Sequence, residues 1–300
     1  MLKILNQHPF LRRLWSGQAS SADAVYSSAM HHDNAQLRRG SGKVWLVGAG
    51  PGDPELISVK GLRLIQSADV IIHDRLVSPV LLQEVRTGAL LIDVGKRPDH
   101  HPVPQSEIEK LLCLHAQRGC KVVRLKGGDP FIFGRGGEEM LALRAAGITV
   151  EIVPGITAAS ACAAASGFPL THRGIADKVL LITASRGKEF DVDGAGQADQ
   201  AEWKAMASDT TGTLVFYMGL SSAPTIQEQL IKNGMNPDTP AALVENGSTP
   251  LQRTVICTLQ TLTDSVRKNA LQSPCLMVVG KVVSLAEPAV KNLQDLVLRE

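Results

Sequence analysis

From Lys43 onward, short runs of apolar residues alternate with stretches in which apolar positions recur every three or four residues. The first pattern is that of buried strands, the second that of helices with one apolar face. Strands are predicted at residues 44–48, 70–73, 90–94, 121–125 and 149–153. Helices are predicted at 54–66, with Asp53 as N-cap and Pro54 in the first turn, from Ser78-Pro79 onward, at 105–118 and at 138–146. The 105–118 segment places Ile108, Leu111, Leu112 and His115 on one face and stops at Gly119, a residue free to take the left-handed conformation that ends helices. Five strands with intervening helices make one α/β domain, punctuated by Pro154-Gly155. The alanine-rich stretch 157–166 reads as a helix suited to close packing.

The second half repeats the alternation more loosely, with strands at 179–183, 213–217, 241–245, 253–257 and 275–280 and helices at 224–233 and 259–269. Too few residues separate 245 from 253 for a helical crossover, so that pair is expected to be antiparallel and the second sheet mixed. The polar, glycine-rich stretch 187–209 reads as a surface insertion. The expected organisation is a flexible N-terminal extension (1–42), an N-terminal α/β domain (43–155), a C-terminal α/β domain (156–286) and a tail (287–300).

The richest chemistry lies in residues 122–139. A β-branched run, Val122-Val123-Arg124-Leu125, breaks into Lys126-Gly127-Gly128-Asp129-Pro130 and resumes as a helix near Gly136. Glycines there let the backbone approach a ligand with no Cβ in the way. A carboxylate at the carboxyl end of a strand can accept hydrogen bonds where ligands of open α/β sheets sit. A second glycine loop, Val47-Gly48-Ala49-Gly50-Pro51-Gly52-Asp53-Pro54, invites comparison with dinucleotide-binding turns. The third glycine of that fingerprint is replaced by Asp53, and Pro51 removes an N–H that a pyrophosphate would use. An acid does follow about twenty residues on, as Asp74. The loop better suits a ligand without phosphates.

Composition narrows the partners. Apolar residues at 44% and charged ones at 20% are globular proportions, and a net charge of +2 means that an acidic ligand must be met by a local basic cluster. Nucleic acid is disfavoured, since there is neither strong basic excess nor interleaved aromatics. The five cysteines show no CxxC spacing, which favours reduced thiols in a reducing, cytoplasmic setting. No apolar run reaches the roughly eighteen residues of a membrane span. His100-His101 and His172 lack ligand-like spacing, so no metal is expected. The first forty residues lack a secretory pattern and end in a linker-like Arg38-Arg39-Gly40-Ser41-Gly42.

Taken in order, residues 47–54, Asp74-Arg75-Leu76-Val77, Val94-Gly95-Lys96-Arg97, residues 123–139, 153–160, 169–173, 215–220 and 244–247 resemble the uroporphyrinogen-III C-methyltransferases, within the tetrapyrrole methylases. The resemblance spans residues 43–283. It implies a class III methyltransferase architecture of two α/β domains with S-adenosylmethionine in the cleft between them, a homodimer, and no metal. The implied reaction methylates uroporphyrinogen III at C2 and C7 to give precorrin-2, for siroheme, cobalamin or haem d1. Forty leading residues could not hold the dehydrogenase/ferrochelatase module of bifunctional siroheme synthases, so those activities are expected to be absent.

By matching motif positions, the resemblance assigns cofactor contacts to Pro51, Gly127, Gly128, Asp129, Ile132, Thr157, Ala158, Met218 and Gly247. It makes Asp74 the proton acceptor and Lys96 the proton donor. A substrate with eight carboxylates calls for guanidinium groups, which bind carboxylate through two parallel hydrogen bonds. Arg124 is expected in the reaction centre, and Arg75, Arg97, Arg135, Arg173 and Arg253 around the substrate. One departure is Thr183-Ala184-Ser185-Arg186, where relatives show a Thr-Gly-His-like stretch. The alternatives are a later precorrin methyltransferase of the same fold, a nicotinamide-dependent oxidoreductase and a non-catalytic tetrapyrrole carrier.

Overall fold

The computed structural model describes residues 42–95, 103–184 and 195–286, with backbone alone for 195–199. The expectations for residues 1–41, Lys96, Arg97, His100-His101, Ser185-Arg186 and 287–300 lie outside the described residues. The chain divides into two compact units. One takes the residues up to Gly50 with Pro54–Gly155, the other Pro51–Asp53 with the residues from Ile156 on.

The first unit runs β1 (Lys43–Gly48), α1 (Val59–Ser67), β2 (Val70–His73), β3 (Leu90–Asp93), α2 (Gln105–Gln117), β4 (Lys121–Lys126), α3 (Gly136–Ala145) and β5 (Thr149–Val153). Its strands are all parallel, in the order β3-β2-β4-β1-β5. Parallel neighbours require crossovers, which leave both sheet faces covered. On one face Val44, Leu46, Ile72 and Val122 pack against Ile108, Leu111 and Leu112 of α2 and Leu143 of α3. On the other, Val47, Ile71, Val123 and Leu125 pack against Ile65 of α1. Each such buried side chain contributes about 1.5–3 kcal/mol. A parallel sheet also gathers all the strand carboxyl ends along one edge, and the glycine loops emerge there.

Three expectations are corrected in this unit. The helix expected from Pro54 is a 3-10 turn, Pro54–Leu56, followed by α1. Its cap is Ser58, whose hydroxyl accepts the Gly61 N–H at 3.1 Å, and not Asp53, which belongs to the other unit. The helix expected after Ser78 is one 3-10 turn, Leu81–Gln83. The chain must return at once to β3, and Arg86 ties it down by donating to the Ala68 carbonyl at 2.7 Å. Finally, β4 runs one residue further than expected, to Lys126, and carries that ammonium inside.

The second unit contains α4 (Ala158–Ala165), β6 (Lys178–Thr183), α5 (Ala195–Ser208), β7 (Gly212–Tyr217), α6 (Ala223–Lys232), β8 (Pro240–Glu245), β9 (Arg253–Thr258), α7 (Leu262–Lys268) and β10 (Cys275–Val279). Its sheet order is β6-β7-β10-β8-β9. Only β6 and β7 pair in parallel, while β10 is antiparallel to β7 and β8, and β8 to β9. The expected mixed sheet and antiparallel β8–β9 pair are therefore present. One face packs Leu214, Phe216, Leu243 and Met277 against Ile226 and Leu230 of α6 and Leu262 of α7. The other packs Val215, Val244, Leu276 and Val278 against Ala159, Cys162 and Ala163 of α4. Within the stretch read as an insertion, the alanine-rich residues from Ala195 form α5 instead, as their high helix propensity favours. The helix expected at 259–269 likewise splits into a 3-10 turn, Leu259–Thr261, and α7.

Candidate active site

At the carboxyl ends of β1, β2 and β4 two kinds of surface meet. The first is bare backbone. Gly50 and Gly128 form an antiparallel bridge, with N–H to carbonyl distances of 3.2 and 2.7 Å. A Cβ at Gly48 would stand 2.6 Å from the Gly128 carbonyl and from Gly155 Cα, and one at Gly155 would collide with that same carbonyl. These tips therefore close backbone on backbone, which only glycine permits. Gly128 also has φ +67°.

Asp129 sits at the centre of the turn. One of its oxygens accepts the Phe131 N–H at 2.8 Å and the other the Gly155 N–H at 3.0 Å. It was expected to hold a polar group of the cofactor, but its first duty is to fix the loop. A carboxylate has about four lone-pair sites, so two remain. Beyond it, Phe133 and Arg135 adopt left-handed φ of 51° and 58°, a strained conformation for side chains of that size. Leu76, Phe131 and Phe133 are exposed, and a Cβ on Gly127 would stand 2.9 Å from Leu76 Cβ.

The second surface is charged. Asp74 follows β2, its N–H donating to the Leu125 carbonyl at 3.2 Å, and its carboxylate is partly open to solvent. Arg124 Nη2 donates to Asp74 Oδ1 at 2.5 Å, while its Nε donates to Glu139 Oε1 at 3.1 Å. Its Nη1 reaches the Ile72 and Leu125 carbonyls at 3.4 and 3.2 Å. Lys126 Nζ and Gln105 Nε2 also donate to Glu139 Oε1, at 2.9 and 3.2 Å. Arg124 is 2% exposed and Glu139 is fully buried. Burial works against the Arg124 charge, but Asp74 and Glu139 raise its pKa above the ordinary guanidinium value. Burial and the Arg124 charge pull the Lys126 ammonium down. His73, at the end of β2, is also pushed down by burial, against the Asp74 carbonyl and the Asp93 carboxylate.

The expected arginines separate by location. Arg124 is not an open carboxylate clamp; it is a buried strut behind Asp74. Arg75 and Arg173 are exposed. Arg135 is exposed and forks onto Glu138 at 2.8 and 2.6 Å. Arg253 is engaged inside the second unit: it donates to Glu245 and to the Asn269 and Ala270 carbonyls, at 3.0 and 3.5 Å for the latter two. Glu245 in turn accepts the Gln272 N–H at 2.6 Å, so this arginine staples a strand end to the turn after α7.

Within the second unit, Thr157 precedes α4 and its hydroxyl meets Tyr217 Oη at 2.5 Å, while the Ala159 N–H donates to that same Tyr217 oxygen at 3.0 Å. Met218 follows β7 with φ 55° and is 54% exposed. Gly247 faces Cys162, whose Sγ a Cβ there would overlap, and Gly52 packs on the Thr249 methyl, 2.5 Å from its would-be Cβ. Ile132, Ala158 and Pro51 are half-buried.

Glu139, Lys126 and Tyr217 were not singled out from the sequence. A signal existed for the first two. Val122, Arg124 and Lys126 share one strand face, and two cations turned into an apolar layer require a buried acid from whatever covers it. Tyr217 gave no such signal.

Two α/β units, one with a fully parallel sheet whose carboxyl edge joins bare glycine backbone to a buried ion network, define a two-domain α/β protein with a candidate ligand-binding edge. The family model of the tetrapyrrole (corrin/porphyrin) methylases matches residues 43–263. The chain belongs to that family. It is 55% identical over 285 residues to the siroheme synthase of Edwardsiella ictaluri (strain 93-146), covering 91% of this chain and 59% of that protein. It spans 51–59% of the length of three such siroheme synthases. Among solved structures, the uroporphyrin-III C-methyl transferase of Thermus thermophilus complexed with S-adenyl homocysteine is 38% identical at a TM-score of 0.66, covering 81% of this chain and all of that one. A cobalt precorrin-4 methyltransferase of cobalamin biosynthesis is 29% identical at a TM-score of 0.68, covering 82% and 96%. Among the described residues no helix is long and apolar enough to cross a membrane, and no cluster of side chains is placed to hold a metal ion.

Proposed function

We propose that the chain methylates uroporphyrinogen III at C2 and C7 with S-adenosylmethionine, giving precorrin-2. The observation that carries this reading is the strand edge itself, where a partly open carboxylate, Asp74, is held by a buried arginine beside backbone stripped of side chains. The fold's likeness to a uroporphyrin-III methyltransferase complexed with S-adenyl homocysteine supports it. Glycine at 127 and 128 keeps side chains off that turn, which supports a cofactor there, and Met218 is an exposed soft thioether. Pro51, Gly127, Gly128, Asp129, Ile132, Thr157, Ala158, Met218 and Gly247 are the proposed contacts.

When bound, the cofactor supplies an electrophilic methyl group on a sulfonium. The chain's own part is to align a pyrrole carbon with it, exclude water and take up the proton that the methylated ring must lose. Alignment alone can lower a barrier by about 7–11 kcal/mol. A general base adds about 10²–10⁴-fold in rate. Asp74, hydrogen-bonded to Arg124 through one oxygen and partly open to solvent, is the proposed acceptor of that proton. Lys96 as proton donor rests on the resemblance, as do Arg75, Arg97, Arg135 and Arg173 as carboxylate partners of the substrate. Cytoplasmic location is proposed from the cysteine spacing, which shows no CxxC pattern. The homodimer implied by the resemblance is proposed too, and light scattering checks it.

A later precorrin methyltransferase is the second reading, favoured by the likeness to the cobalt precorrin-4 enzyme, though identity is lower there. Mass spectrometry of uroporphyrinogen III incubated anaerobically with the protein and S-adenosylmethionine separates them. Two added methyl groups support the proposal, and an unchanged tetrapyrrole overturns it.

A further inference from the structure

We propose that Glu139 is a positioning residue for the Asp74 carboxylate, acting through Arg124 and never touching the substrate. This rests on the reading of Asp74 as the proton acceptor. A guanidinium is planar, and its N–H groups point in fixed directions. Nη1 is set by the Ile72 and Leu125 carbonyls and Nε by Glu139 Oε1, so the plane is defined and the remaining edge, Nη2, is aimed at Asp74 Oδ1. Without the Glu139 carboxylate, Nε has no anionic partner and the plane can tilt.

Glu139 also balances charge. Arg124 and Lys126 are both buried, and Glu139 with Asp74 brings the cluster to neutrality. Its place in the first turn of α3 helps, since backbone N–H groups at a helix start favour a carboxylate.

Stability alone is a poor reason for this arrangement. Buried ion pairs are often no more stable than well-packed apolar residues of the same volume. Here the whole burden falls on one oxygen: Oε1 accepts from Arg124, Lys126 and Gln105, while Oε2, buried, has no hydrogen-bond partner among the described residues. An unpartnered buried acceptor opposes folding. A carboxylate that one-sided is suited to setting the direction of a neighbour.

The test is a double-mutant cycle on the full chain, read as kcat and KM for methylation of uroporphyrinogen III. Glu139→Gln keeps the shape and removes the charge. It is expected to lower kcat about tenfold with both KM values within about twofold, and to cost nothing further in an Asp74→Asn background. Glu139→Asp, which keeps the charge but withdraws it, should show the same split to a smaller degree, and it stands in if the amide variant does not fold. A second readout needs no turnover: the ¹⁵N–¹H signal of Arg124 Nε, identified by its loss in Arg124→Lys. Its hydrogen exchange should be slow in the wild type and in Asp74→Asn, and at least tenfold faster in the Glu139 variants.

Wild-type kcat in Glu139→Gln, a raised KM with kcat intact, an equal loss in both Asp74 backgrounds, or unchanged Nε exchange each overturns the inference while leaving Asp74 as the base. Full turnover by Asp74→Asn overturns the reading of Asp74 itself, and this inference with it.

Discussion

The two units treat charge in opposite ways. In the first, Arg124, Lys126 and Glu139 lie inside the apolar layer under the parallel sheet, linked to a half-open Asp74. In the second, Glu245 is buried but its partner Arg253 stays half in solvent and joins a strand end to a turn. Both are arginine–carboxylate pairs, and from residue type alone they look equivalent. Removing charge from water is expensive unless every group is compensated. A buried network therefore marks a place where geometry matters more than economy of folding, and a rim pair marks local stapling. Burial separates the two roles where sequence could not.

The comparison can be broken most sharply at Arg124. Arg124→Met leaves Asp74 and Glu139 without the guanidinium they share and is expected to destabilise the protein by about 3–5 kcal/mol, read by urea unfolding. A loss below about 1 kcal/mol would mean that the network is not tightly coupled. Next comes the glycine edge. Gly155→Ala forces a methyl onto the Gly128 carbonyl and should cost about 1–3 kcal/mol. Gly137→Ala, in the first turn of α3 with open space around it, should instead stabilise by about 0.4–1 kcal/mol. Thermal melts of the pair check the contrast, and equal effects would deny the tips their special packing. Arg253→Ala should cost much less than Arg124→Met, since half of its side chain is already in solvent. A loss as large as at Arg124 would erase the distinction between the units.

The smallest effect is on the outer strand of the first sheet. Lys43 and Lys60 hold the Glu151 carboxyl at about 2, well below the ordinary glutamate range. The folded value lies below the unfolded one, so the stabilisation is present above the unfolded pKa and disappears as pH falls through the folded one. Because Glu151 is partly open to solvent, Glu151→Gln should cost less than about 1 kcal/mol at pH 7. Melts of both proteins at falling pH should converge below about pH 4.3. A gap that stays constant would place its origin in packing.

Much of the fold was legible because alternation and period are written locally. The five parallel strands appear where β-branched runs predicted them, and α2 buries the face that Ile108, Leu111, Leu112 and His115 marked. Errors fell where short-range geometry overrides pattern. Ser58 and not Asp53 is the cap because the helix starts at Val59, where the Ser58 hydroxyl reaches the Gly61 N–H. Of the candidate site, the motif residues could be picked out of the sequence and the groups that support them could not. Asp74 and the glycines are adjacent to recognisable turns. Glu139 matters through neighbours far along the chain, Gln105, Arg124 and Lys126, and no local rule links four such positions. Arg253 was grouped with the substrate set by its nearness to a motif, which does not reveal the Asn269 and Ala270 carbonyls it also serves.

The closure of Gly48, Gly50, Gly128 and Gly155 on one another sets a limit on redesign. Where three connections share a seam of peptide groups with no side chains to yield, none can be lengthened or swapped without dislodging the other two. The exposed side chains of Leu76, Phe131 and Phe133 are therefore better targets for substitution than the seam itself.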